Sequence, residues 1–263
     1  STSFLSNLAP IGAIASWQPC VPCITSSLPS TSSPTKRLHW SPQQRILDEK
    51  KMESLQEHIT KEEIASLSHT AFFPGQIHLV ETAEEAEAIF DQLERQPVVG
   101  FDTESKPCFT RGETAEVALI QISTLEDAYL IRVNKTDFTP RLKAFLANPN
   151  ILKVGLSLRD DYKVMRRRAE VQPEGFIELQ SLCPAYGIRD AGLQNIYAII
   201  FGERISKSQR VTNWESPTLS FKQQLYAALD AYACLRIYNA LMERPIPHPS
   251  RFALLYVPGG GKS

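Results

Sequence analysis

Short apolar runs alternate with polar stretches along the chain, and most of the runs have the length and composition of β-strands. They predict strands over residues 76–80, 97–105, 117–123, 128–131, 151–155 and 177–179. The polar stretch Thr124–Asp127 separates two of these runs and is typical of a hairpin turn. Those two strands are therefore expected to be antiparallel neighbours.

Helical periodicity appears between and after these strands. Thr82 stands where it would cap a helix reaching Leu93, with apolar side chains on one face and acidic side chains on the other. Further helices are predicted over residues 139–146, from about Leu158, and over residues 220–241. Strands that begin as a meander and then alternate with helices predict an α/β fold, with a mixed five- or six-stranded sheet flanked by helices.

One folded domain accounts for most of the chain. Residues 1–40 are rich in Ser, Thr and Pro and have no hydrophobic period, and we expect residues 1–51 to be disordered or a non-native extension. Met52 is the first methionine, which is consistent with a natural start there. We predict a helical lead-in over residues 52–71, the domain over residues 72–244, and a Pro- and Gly-rich tail over residues 245–263.

Composition excludes several classes of protein. The chain has 28 basic and 29 acidic residues, so contact with a polyanion would depend on a local basic patch. No apolar run approaches the roughly 20 residues that cross a bilayer, and we expect a cytoplasmic protein without a membrane partner. Five cysteines, an odd number, indicate reduced thiols, and five scattered histidines argue against a zinc site.

Two carboxylates end the strand over residues 97–105. Asp102 and Glu104 are two residues apart, so their side chains project to the same face of a strand. Like charges at this spacing repel, unless one group is protonated or a cation lies between them. Solvation of both acids in a loop is the alternative explanation, and the pair alone does not decide between the two.

Other acidic residues change this balance. Tyr226 and Asp230 lie four residues apart on the last helix, on one face and about 6 Å apart along its axis. With Asp102, Glu104 and one member of the pair Asp160-Asp161, they supply four carboxylates and a phenol. A two-metal phosphodiesterase uses such a set, and carboxylate ligands favour Mg²⁺ or Mn²⁺.

Three segments together resemble the motifs of the DEDDy 3′–5′ exonucleases, which include ribonuclease D and the Werner-type exonuclease domain. They are Val98–Glu104, Lys153–Asp161, and Asn213-Trp214 followed by Leu225–Ala233. The similarity extends over about residues 77–241. It implies a ribonuclease H-like fold and a two-metal-ion hydrolase that cleaves phosphodiester bonds from the 3′ end.

The resemblance also implies roles for individual residues. Asp102, Glu104, Asp161 and Asp230 would hold two Mg²⁺ or Mn²⁺ ions, and Tyr226 would position the attacking water. Either Asp160 or Asp161 could be the second-motif ligand. We choose Asp161 because Met165 follows it at the spacing the family shows.

The expected partner is the single-stranded 3′ end of DNA or RNA, and no protein partner can be named. Lys207, Arg210 and Trp214 are candidate substrate-binding residues, with a buried packing role as the alternative for Trp214, and Gln121 and Phe109 are further candidates near the first motif. The alternative functions are a catalytically silent nucleic-acid-binding module on the same fold and a protein-interaction scaffold. The sequence leaves the choice between DNA and RNA open.

Overall fold

A six-stranded mixed sheet forms the centre of the fold. The computed structural model describes residues 54–105, 116–206, 212–245 and 247, apart from the side chains of Asp160, Val164 and Arg167. The strands are β1 His69–Thr70, β2 Gln76–Val80, β3 Val98–Ser105, β4 Val117–Ser123, β5 Asp127–Ile131, β6 Leu152–Gly155, β7 Phe176–Glu178 and β8 Glu203–Arg204. The predicted disorder of residues 1–51 and nearly all of the predicted tail lie outside the described residues.

The order of strands in the sheet is β2-β5-β4-β3-β6-β7. The β3–β4 and β4–β5 pairs are antiparallel, whereas β2–β5, β3–β6 and β6–β7 are parallel. This arrangement confirms the predicted hairpin and the predicted mixed sheet. Strands β1 and β8, which the sequence did not predict, form a separate parallel pair of two residues each.

The helices are α1 Lys61–Ser66, α2 Ala83–Ala88, α3 Phe90–Leu93, α4 Val133–Thr136, α5 Pro140–Leu146, α6 Arg159–Ala169, α7 Leu179–Leu182, α8 Leu193–Phe201 and α9 Phe221–Met242, with a 3₁₀ helix over Cys183–Tyr186. The helix predicted from Thr82 to Leu93 is interrupted at Ile89, which separates α2 from α3. Within the described part of the predicted lead-in, only α1 is helical. None of the described helices combines the length and apolar character needed to cross a bilayer.

Helix α9 packs closely on the central strand β3. It begins at a capping box formed by Ser220 and Gln223 and presents small buried side chains, among them Ala227 and Ala231. A Cβ atom on Gly100 of β3 would lie only 1.9 Å from the carbonyl oxygen of Ala231. The absence of a side chain at Gly100 thus permits the approach that brings the carboxyl-terminal half of β3 beside α9.

The other face of the sheet carries a second core. Phe101 of β3 is fully buried there with apolar residues of the helices that cover this face, including Phe90, Leu142, Phe145 and Met165. Because side chains alternate along a strand, Phe101 and Asp102 face opposite layers. Packing on both faces therefore fixes the direction in which Asp102 and Glu104 point.

Candidate metal centre and active site

Three carboxylates meet where β3 passes under α9. Oxygen atoms of Asp102, Glu104 and Asp230 all lie within 4.8 Å of one another. Asp230 is only 6% exposed, and the other two side chains are half-buried. The structure therefore brings together three of the four acids that the resemblance implied, although Asp102 and Asp230 are 128 positions apart in the sequence.

Their closeness changes how readily these acids ionise. Burial, followed by the charges of Asp230, Glu104 and Asp161, holds the pKa of Asp102 well above its usual range. Burial also raises the pKa of Asp230, to about 7, although a hydrogen bond from Tyr226 opposes the rise. The ionised cluster is thus unfavourable by itself and would be stabilised by a cation.

The chemistry of these donors fits a divalent metal ion. All three side chains offer carboxylate oxygens. Among the described residues, they form the only group of three or more side chains that could hold a metal ion together. Hard cations such as Mg²⁺ and Mn²⁺ prefer oxygen ligands, whereas zinc sites are usually built with Cys or His. The set of ligands therefore matches the class of ion that the sequence predicted.

Asp161 lies beside this cluster on the first turns of α6. The hydroxyl of Thr103 donates a hydrogen bond to its Oδ1 atom, and its charge contributes to the raised pKa of Asp102. Asp161 is not among the three acids whose oxygens lie within 4.8 Å of one another. The side chain of Asp160 lies outside the described residues, so the choice between the two acids stays a prediction.

Tyr226 is a phenol in direct contact with the acidic cluster. Its hydroxyl donates a hydrogen bond to Asp230, one helical turn further along α9. Burial, followed by the charges of Asp230 and Glu104, raises the pKa of Tyr226 far above its ordinary value. A phenol held in this way keeps its proton, which suits it to orient a water molecule and not to deprotonate one.

Comparison with known proteins identifies the family. The family model for 3′–5′ exonucleases matches residues 77–245. The chain belongs to the 3′–5′ exonuclease family. This match confirms the resemblance carried by the three motifs.

Relatives of this exonuclease chain fall into several groups. It is 33% identical over 179 residues to the mouse bifunctional 3′-5′ exonuclease/ATP-dependent helicase WRN, covering 64% of this chain and 13% of that protein. It is 28% identical over 179 residues to ribonuclease D of Gluconacetobacter diazotrophicus, covering 66% of this chain and 44% of that protein. The chain therefore spans less than half the length of either relative.

Solved structures confirm the ribonuclease H-like fold. The Aedes aegypti Nibbler EXO domain superposes with a TM-score of 0.58 at 26% identity, covering 64% of this chain and 87% of that one. Escherichia coli RNase D gives a TM-score of 0.58 at 27% identity, covering 64% of this chain and 44% of that one. Both similarities show the α/β exonuclease architecture predicted from the sequence.

Two of the predicted substrate-binding residues of this exonuclease domain, Lys207 and Arg210, lie outside the described residues, as does Phe109. Trp214 is fully buried, and the centroid of its ring lies 6.2 Å from that of Tyr226. This burial argues against the predicted contact of Trp214 with substrate and gives it a packing role beside Tyr226. Gln121 is also fully buried.

Glu178 at the end of β7 supports the site, and sequence reasoning missed it. Its carboxylate accepts hydrogen bonds from the backbone N–H groups of Ser157 at 3.0 Å and Leu158 at 2.7 Å. These groups precede α6, so Glu178 fixes the start of the helix that carries Asp161. The contact joins residues about twenty positions apart, which periodicity within one segment does not reveal.

Arg132 is a second supporting residue that sequence reasoning missed. It is fully buried and donates hydrogen bonds to Glu81 at 2.8 Å, to the carbonyl of Pro217 at 2.9 Å and to the carbonyl of Ser216. These bonds hold the segment that carries Trp214 and leads into α9. A polar residue directly after the apolar strand β5 was the only available signal.

Proposed function

We propose that this chain is a divalent-metal-dependent 3′–5′ exonuclease that hydrolyses phosphodiester bonds from the 3′ end of DNA or RNA. The observation that carries the proposal is the convergence of Asp102, Glu104 and Asp230, whose oxygens lie within 4.8 Å of one another. Membership of the 3′–5′ exonuclease family supports the direction of cleavage.

Asp102, Glu104 and Asp230 would hold the metal, with Asp161 beside them as a fourth ligand. Two ions, Mg²⁺ or Mn²⁺, are the arrangement we propose. When bound, such ions lower the pKa of water and neutralise charge on the phosphate. The ligand oxygens need to be ionised for this role, so metal binding competes with protons at Asp102 and Asp230.

Tyr226 would hold the attacking water in line with the scissile bond. Its hydroxyl is protonated and fixed by its hydrogen bond to Asp230. In the hydrolysis, the water oxygen forms a bond to phosphorus while the bond from phosphorus to the 3′ oxygen of the preceding nucleotide breaks. The products are a nucleoside 5′-monophosphate and a chain shortened by one nucleotide with a free 3′ hydroxyl.

The substrate we propose is a nucleic acid with a single-stranded 3′ end. Among the relatives, ribonuclease D is named for RNA, and the mouse protein is named as an exonuclease and helicase. Lys207 and Arg210 are proposed to contact the phosphate backbone, because cations there would offset its charge. The preference for DNA or RNA, the choice of Mg²⁺ or Mn²⁺ and the cytoplasmic location stay predictions.

The test is degradation of single-stranded DNA and RNA labelled at either end, with Mg²⁺, Mn²⁺ or EDTA. The wild-type chain is expected to shorten 5′-labelled substrate stepwise and only with metal, and Asp102→Ala should abolish this while retaining binding. Glu126→Ala is a suitable control, because this exposed acid lies in the hairpin turn away from the acidic cluster. Binding without cleavage by the wild-type chain under any metal would support the silent binding module instead.

A further inference from the structure

A buried amide in the layer beneath α9 lacks a hydrogen-bond partner. Gln121 is completely buried on β4, and neither its Nε2 nor its Oε1 atom bonds to any residue that the structure describes. An amide removed from water without a partner costs free energy, so most buried side-chain amides are hydrogen-bonded. Leu119, two residues away on the same face of β4, is buried and apolar, so burial there does not itself require a polar residue.

Strand pairing places this amide beside the acidic cluster. Gln121 stands directly opposite Asp102 in the antiparallel β3–β4 pair. Opposed residues share a face, and their Cβ atoms are about 4.5–5.5 Å apart, which is within reach of a glutamine side chain. The shared face is the one covered by α9, because Gly100, two residues before Asp102, packs against Ala231.

The other neighbours do not satisfy the amide. Across the β4–β5 pair Gln121 stands opposite Leu130, which has no polar side-chain atom. The indole Nε1 of Trp214 is also buried without a partner among the described residues, so the amide and the indole do not bond to each other. The amide makes no bond to Asp102 in the structure either, but Asp102 is the polar side chain that the pairing of β4 with its two neighbours sets within reach of Gln121.

We propose that Gln121 is a positioning residue: its amide, unbonded in the structure, turns its Nε2 to donate a hydrogen bond to the carboxylate of Asp102 when Asp102 binds the metal ion, and so orients that carboxylate. The inference rests on the proposed function, because it assigns Asp102 to the metal. Carboxylates that bind metals are themselves commonly hydrogen-bonded, and loss of the supporting group weakens metal binding by about 10- to 100-fold. This role explains why a buried position carries an amide, whereas filling of the core would require only an apolar side chain.

The test compares Gln121→Met with Leu130→Met in the full chain. Methionine has nearly the volume of glutamine but no hydrogen-bonding amide, so it separates packing from positioning. Leu130 is the matched control, because it packs beside Gln121 on the side away from Asp102. Two quantities are measured: Mn²⁺ affinity, from the electron paramagnetic resonance signal of free Mn²⁺, and melting temperature in EDTA.

For Gln121→Met we expect Mn²⁺ affinity to fall by about tenfold, with a melting temperature in EDTA equal to or above that of the wild type. For Leu130→Met we expect wild-type Mn²⁺ affinity. Unchanged Mn²⁺ affinity in Gln121→Met would overturn the proposal. A loss of affinity of the same size in Leu130→Met would also overturn it, because packing would then explain both results.

If Gln121→Met does not fold, Gln121→Asn takes its place. Asparagine keeps the amide but withdraws it by one methylene from Asp102, so weaker Mn²⁺ binding is again expected and wild-type affinity would refute the proposal. Failure of the proposed function is recognised separately, since a wild-type chain that binds Mn²⁺ but cleaves nothing loses the exonuclease assignment alone. A wild-type chain that binds no Mn²⁺ would refute both.

Discussion

Neutralising Asp230 is expected to abolish cleavage and yet stabilise the metal-free protein. Asp230 is buried, and burial raises its pKa from 3.8 to about 7. A rise of this size corresponds to about 4 kcal/mol of unfavourable free energy for the ionised form. Asp230→Asn removes that charge, and its amide oxygen can still accept the hydrogen bond from Tyr226.

The stabilisation should depend on pH with a definite sign. In the wild type, the raised pKa of Asp230 means that the folded protein keeps its proton more readily than the unfolded chain. The stability from this protonated group is fully present below the unfolded-state pKa of about 4 and is lost as the pH rises through about 7. Asp230→Asn has no such dependence at this position. Its advantage over the wild type should therefore be near zero close to pH 4 and reach its maximum above pH 7.

The assay is thermal unfolding in EDTA at pH values from 5 to 8. For a domain of this size, about 4 kcal/mol corresponds to a rise of roughly 10 °C in melting temperature near pH 8, and the rise should be much smaller near pH 5. Adding Mn²⁺ should raise the melting temperature of the wild type more than that of the variant, because the variant lacks a ligand.

Asp190→Asn is the matched control. Burial raises the pKa of Asp190, but hydrogen bonds from the backbone of Ile59 and from His58 and Asn195 outweigh burial and lower the pKa overall. Neutralising Asp190 should therefore destabilise the protein at neutral pH, the opposite of the result expected for Asp230. An Asp230→Asn protein that melts no higher than the wild type near pH 8 in EDTA would refute the electrostatic reasoning.

Three further predictions test how the site is supported. Gly100→Ala should lower the free energy of unfolding in urea by about 3 kcal/mol or more, because its Cβ would lie 1.9 Å from a backbone oxygen of α9. Gly192→Ala is the control and should change this free energy little, because Gly192 has open space around it. Glu178→Gln should lower the free energy of unfolding by about 1–3 kcal/mol and lower kcat in the cleavage assay. A glutamine amide has one oxygen, so it cannot accept both backbone N–H bonds before α6 as the two carboxylate oxygens do. Arg132→Met should lower the free energy of unfolding by about 2–3 kcal/mol and speed amide hydrogen exchange over residues 212–220, because the carbonyls of Ser216 and Pro217 lose their donor. Unchanged exchange in this segment would contradict the anchoring role of Arg132.

Local pattern was enough to predict the elements that carry the acids. Alternation along β3 placed Asp102 and Glu104 on one face, and the spacing of Tyr226 and Asp230 placed them on one face of α9. The hairpin of β4 and β5 followed from the turn residues between them. Each of these inferences concerns residues that are close in sequence, where side-chain periodicity is informative.

Contacts between distant segments could not be predicted in the same way. The pairing of β2 with β5, rather than with β3, depends on the whole sheet. The bonds from Arg132 to Ser216 and Pro217 join residues more than eighty positions apart. The sequence offered both stacking on a base and packing in the core for Trp214, and its burial is decided by the segment that Arg132 holds.

The acidic cluster is held together by packing and not by attraction among its members. Asp102 and Glu104 are fixed because β3 lies inside the sheet between β4 and β6, and Asp230 is fixed because α9 contacts the backbone of β3 at Gly100. Burial, followed by the charges of Asp230, Glu104 and Asp161, holds the pKa of Asp102 above its usual range, so ionisation of the acids opposes this arrangement. A rigid scaffold that holds repelling oxygens in place keeps the ligands oriented before any cation arrives, so little of the binding free energy is lost in ordering them. Substitutions at Gly100, which carries no ligand, are therefore expected to weaken metal binding by displacing α9 and Asp230 from β3.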